Sequence, residues 1–129
     1  MIETGKKGSV VSISSVISQE TSSNQLGYCV AKAGIDMVTK QFALELGQYG
    51  IMVNSVKPTF IPDTDMARSV DPTIPVGEFI AERTPMTRKP TPEDVANAVM
   101  YLLSDAAAMV TGTVNPVDGG LLCNITIKQ

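Results

Sequence analysis

The chain has 129 residues, 43% of them hydrophobic, enough for one modest globular unit that buries roughly two-thirds of its surface. Ten basic against thirteen acidic residues leave a formal charge of -3 with no block of either sign, which argues against nucleic acid or an anionic membrane as partner. With no histidine at all, every mechanism using imidazole as base or metal ligand is excluded, and any chemistry falls to Ser, Tyr, Lys, Asp or Glu.

After a polar start, "SVVSIS" (Ser9 to Ser14) alternates β-branched apolar with polar residues and reads as a strand. The serine-rich "SVISQETSSNQLG" (15 to 27) is too polar for a buried element and has the composition of a loop that carries function. Cys29 and Cys123 lack metal-ligand spacing and no secretory leader precedes "MIETGKKGS", so a reduced, cytoplasmic setting with no metal site is expected.

A helix is predicted from about Tyr28 to Leu46. Ile35, Val38, Phe42 and Leu46 form its apolar stripe, Met37 and Leu44 widen that stripe, and Asp36 and Lys40 form an exposed pair one turn apart. Gly47 and Gly50 close it, and "IMVNSV" (Ile51 to Val56) is a second strand ended by Lys57 and Pro58. The stretch from Thr59 to Pro75 has loop composition with one short helical piece around Asp65 to Arg68, and "VGEFIAER" (76 to 83) forms a short helix.

In "TPEDVANAVMYLLSD", Thr91 is the expected N-cap, Pro92 the first helical residue, and Asp94 stands three after the cap. Val95, Val99 and Leu102 or Leu103 give its buried stripe. That window is broken by Asn97, Ser104 and Asp105 and falls short of the roughly 20 apolar residues of a bilayer span. "GTVNPVDGG" supplies a last short strand, in which Pro116 tolerates only an edge or terminal position.

Strands alternating with helices argue for an α/β fold with a parallel sheet of right-handed βαβ units. Three parallel strands make a small sheet, and the first is apolar enough to want a neighbour on both sides, so the chain reads as part of a domain.

Tyr28 and Lys32 lie one turn apart at the head of the predicted helix and so share a face. An ammonium beside a phenol favours the phenolate, which suits a group that passes a proton to or from an alcohol or carbonyl oxygen. The spacing alone is common on helices. Ser15 adds weight, because it stands where the first strand releases into the loop, and ligands of open parallel sheets sit beyond the carboxyl ends of the strands.

"SVVSISS", Tyr28-x-x-x-Lys32, "VNSVKPTFIPDTDM", "PEDVANAVMYLLSD" and "TGTVNPVDGG" together resemble the C-terminal half of a short-chain dehydrogenase/reductase, over about residues 8 to 122. "YCVAKAGIDMVTK", "ALELG" and the Pro58-Thr59 pair are most similar to the branch that reduces dicarbonyls and L-xylulose. The resemblance implies half of a doubly wound, Rossmann-like parallel sheet. Residues 1 to 129 would then be a single partial domain, the catalytic half, without the dinucleotide-binding half.

By the same resemblance Tyr28 would be the proton donor, Lys32 would lower its pKa and bind the nucleotide ribose, and Ser15 would hold the carbonyl oxygen. Ser15, Ile17 and Gln25 would contact the small carbonyl or sugar substrate. Tyr28, Lys32, Pro58, Ile61 and Thr64 would contact NADP(H), preferred over NAD(H), in a homo-oligomer.

There are departures from the family pattern. Ser12 stands where many relatives have Asn, Thr64 is one position further from Pro58 than usual, and no Gly-rich strand-to-helix turn occurs. Two other readings remain: an interaction module of the same half-fold, and a serine hydrolase with Lys32 as base, for which the sequence has no Gly-x-Ser-x-Gly elbow.

Overall fold

A computed structural model describes residues 1–62, 64–68 and 73–123. The elements in order are β1 (Gly8–Ile13), a 3-10 turn (Val16–Ser18), α1 (Leu26–Leu46), β2 (Ile51–Pro58), α2 (Asp65–Arg68), α3 (Val76–Arg83), α4 (Pro92–Leu103) and β3 (Val114–Val117). The strands form one parallel sheet in the order β1-β2-β3. Gly8 pairs with Ile51 through to Ile13 with Val56, and Ser55 pairs with Val114 through to Pro58 with Val117.

β2 is the central strand and is almost wholly buried. Ile51 and Val53 pack on Ala43, with Leu46 at the rim, so these alternate β2 positions face α1. The strand runs two residues past the predicted end because Lys57 and Pro58 still pair with Pro116 and Val117. Pro58, which has no N–H, takes the last position, and Pro116 lies on an edge strand as expected. α4 packs on β1 and β2, and its buried residue is Leu102 rather than Leu103.

The helix termini follow the predicted signals. Gly50 adopts φ +67 in the turn into β2, a conformation that favours glycine, and a Cβ there would sit 2.9 Å from the exposed Lys7 side chain, which would have to shift. At α4, Asp94 reaches back to the Thr91 N–H at 2.8 Å with Pro92 opening the helix, and Arg88 binds Asp94 bidentately at 2.7 Å.

Two expectations for α1 need correction. Its sheet-facing residues are Thr39 (1% exposed) and Ala43 (7%), flanked by half-buried Ile35 and Leu46, whereas Val38 (50%) and Phe42 (47%) are exposed, as are Met37 and Leu44. The helix carries apolar residues on two faces, and the one with small side chains faces the sheet, where the position of a Cβ on Gly112 would lie 3.3 Å from that of Ala43. Asp36 does not pair with Lys40 at the surface. It turns inward to Lys57, 3.2 Å away, although the sequence assigns Lys57 only to the strand end.

Candidate functional site

The parallel register brings the C-terminal ends of β1 and β2 together, and α1 starts on that side. Ser14 N–H still donates to Val56 O at 2.8 Å, so the ladder holds one residue beyond β1. Ser15, in extended geometry, then caps the 3-10 turn, its hydroxyl accepting from Ile17 N–H at 3.4 Å. That contact uses a lone pair and leaves the Ser15 proton available for a carbonyl oxygen.

α1 begins at Leu26, two residues before Tyr28, and two hydrogen bonds tie its first turns to the end of β1. Lys32 Nζ donates to Ile13 O at 2.9 Å, and the Ser14 hydroxyl donates to Lys32 O at 3.3 Å. The Lys32 ammonium also lies 5.4 Å from the centroid of the Tyr28 ring, so the two side chains do share a face. The half-buried Tyr28 hydroxyl meets the Met66 sulfur at 3.7 Å, a weak acceptor.

The remaining predicted residues fall at the margins of this corner. Ile17 is half-buried in the 3-10 turn, and Gln25 is exposed just before α1, its carbonyl accepting from Cys29 N–H at 2.9 Å. Pro58 is buried at the end of β2. The Thr64 hydroxyl donates to Ile61 O at 3.0 Å and accepts from Ala67 N–H at 3.2 Å, which caps α2. Its one proton is committed, so it can accept from an amide N–H but cannot donate to a phosphate without releasing Ile61.

Sequence reasoning missed two features. Thr59 is 7% exposed, and its hydroxyl has no hydrogen-bond partner among the described residues, at the point where β2 releases into the Ile61 loop. Behind the corner, Asp36 Oδ2 takes the Ser18 hydroxyl at 2.5 Å and Lys57 Nζ at 3.2 Å, and Lys57 also donates to Gln19 Oε1 at 3.3 Å. A lysine directly after the strand residues "IMVNSV" was the available signal for this second feature, since an ammonium buried with the strand requires an anion.

Burial raises the proton affinity of Asp36. The Ser18 hydroxyl, the Lys57 hydrogen bond and the Lys57 charge, all on Oδ2, outweigh burial and hold the carboxyl below its ordinary 3.8, while Oδ1 is buried with no partner among the described residues. Because the folded value is depressed, Asp36 contributes stability above the unfolded value, and that contribution is lost as pH falls below about 4 through the folded value. Urea unfolding between pH 7 and pH 3 is therefore expected to lose more stability in the parent than in Asp36→Asn. Equal losses would remove Asp36 from the acid response.

An open groove of about 500 Å³ beside the start of α1 is lined by Thr21, Ser22, Asn24, Gln25, Leu26 and Cys29. A second, of about 340 Å³, lies between α4 and the end of β3, away from this corner, and is lined in part by the paired Arg88 and Asp94. Among the described residues no helix is long and apolar enough to cross a membrane.

Ser15 beyond β1 and Tyr28 and Lys32 in the first turns of α1 thus lie on the side of the sheet where open parallel α/β folds take their ligands. The family model described as enoyl-(acyl carrier protein) reductase matches residues 1–122, and the chain belongs to the short-chain dehydrogenase/reductase family. It is 44% identical over 118 residues to an L-xylulose reductase of Caenorhabditis elegans, covering 92% of this chain and 47% of that protein. It is 40% identical over 124 residues to carbonyl reductase [NADPH] 2 of Sus scrofa, covering 96% and 50%.

Among solved structures, a gluconate 5-dehydrogenase from Burkholderia cenocepacia in complex with NADP and tartrate superposes with TM-score 0.88 at 27% identity, over 96% of this chain and 48% of that one. A short-chain type dehydrogenase/reductase from Mycobacterium ulcerans gives TM-score 0.86 at 38% identity, over 95% and 44%. The chain thus spans about half the length of the curated relatives it matches.

Proposed function

We propose that this chain is the catalytic half of an NADP(H)-dependent carbonyl reductase acting on L-xylulose, α-dicarbonyls or related sugars, as a cytoplasmic homo-oligomer. The observation that carries the reading is the Lys32 ammonium, held by the Ile13 carbonyl at the end of β1 while facing the Tyr28 ring. Names of the relatives support the substrate class and the nucleotide.

In this reading the Ser15 proton, not engaged by Ile17, binds the substrate carbonyl oxygen, and Tyr28 delivers the proton that oxygen needs as it becomes an alcohol. Lys32 orients Tyr28 electrostatically and contacts the ribose. The orphaned Thr59 hydroxyl fits a nucleotide beside β2, with Pro58, the Ile61 backbone and Thr64 around it. Bound NADPH supplies the hydride.

Lys32→Met is expected to weaken both turnover and nucleotide binding, because one side chain serves both; unchanged affinity by calorimetry would remove the ribose contact. Ser15→Ala is expected to cost about 10²-fold in kcat, as for loss of one oxyanion donor. No loss would assign that role elsewhere.

A second reading, an interaction module, draws on the exposed apolar residues Leu26, Val30, Met37, Val38, Phe42 and Leu44 of α1. Nucleotide binding separates the two.

A further inference from the structure

The polar cluster behind the corner joins three segments. Lys57, 5% exposed, stands directly before Pro58; Asp36 lies one helical turn beyond Lys32; and Ser18 and Gln19 belong to the turn that Ser15 begins. That turn has little to hold it in place by itself. Its backbone bonds are Ser18 N–H to Ser15 O at 3.0 Å, Gln19 N–H to Val16 O at 3.1 Å and Glu20 N–H to Val16 O at 3.2 Å, and Val16 is its one buried side chain. A single 3-10 turn of this kind does not persist without tertiary contacts.

A buried ion pair adds little stability over apolar packing, and in some proteins its directional bonds instead fix the relative placement of the elements it joins. We propose that Asp36 and Lys57 are positioning residues that clamp the Ser15–Gln19 turn against α1 and the end of β2, and so set Ser15 relative to Tyr28 and Lys32. The catalytic part of this proposal rests on the carbonyl-reductase reading; the clamp itself rests on the geometry.

The test, made in the longest form of the chain that folds, is the double substitution Asp36→Asn with Lys57→Met, which removes both charges and leaves no buried ion unpaired, with Lys89→Met, which breaks the surface pair with Glu78, as a remote control. Amides of Ser18, Gln19 and Glu20 are expected to exchange about tenfold faster or more relative to α4 amides in the double variant, and at the parental ratio in the control. In the longest form of the chain that reduces carbonyls, kcat is expected to fall about tenfold while KM stays within about twofold.

Parental protection of the turn, or an equal rise at all amides, overturns the proposal. Lost protection with unchanged kcat overturns the positioning role. Full turnover in Tyr28→Phe would instead overturn the site reading and leave the exchange result standing. If the double variant does not fold, Ser18→Ala, which removes one donor to Asp36, is read by the same criteria.

Discussion

Tyr28→Phe is expected to reduce carbonyl turnover by about 10²- to 10⁴-fold, the range associated with a positioned general acid, while nucleotide affinity stays within about twofold. The change removes one hydroxyl whose contact here is the Met66 sulfur at 3.7 Å, so little fold stability goes with it. The ring remains under the Lys32 ammonium, and Lys32 keeps its bond to Ile13. Kinetics in a form of the chain that turns over, paired with calorimetry for NADPH, measure both quantities. Near-parental turnover would remove Tyr28 as donor.

Produced as these 129 residues alone, the chain is expected to self-associate or aggregate and to reduce diacetyl or L-xylulose poorly or not at all. β1 pairs only with β2 among the described residues, and Val10 and Ile13 on it are exposed. A strand with one free edge and apolar side chains in water is a template for pairing with another chain. The contacts proposed for the nucleotide come from Tyr28, Lys32, Pro58, Ile61 and Thr64, without a glycine-rich phosphate cradle, and are too few for tight, oriented binding. Mass in solution, NADPH calorimetry and the two reduction assays test this. A stable monomer that binds NADPH at about micromolar Kd and turns over would refute it.

Much of the site could be read from local spacing. Tyr28 and Lys32 share a face because any helix places residues four apart one turn above each other, and Ser15 sits at a strand end because the alternating pattern stops there. The α4 start was equally legible, since Thr91, Pro92 and Asp94 act within one turn of chain. Thr59 was not, because a hydroxyl becomes an orphan only when its surroundings are assembled.

The sequence by itself determined the element order, the parallel sheet and the Tyr28–Lys32 face, all set by periodicities and turn chemistry within a few residues. Only the tertiary structure decided which face of α1 meets the sheet and where Asp36 finds its partner. Thr39 and Ala43 face inward although Val38 and Phe42 are more apolar, because close approach to β2 favours small side chains. Asp36 meets Lys57 rather than Lys40 because the strand register carries that ammonium into a buried position, where a counterion is required, while Lys40 remains in water.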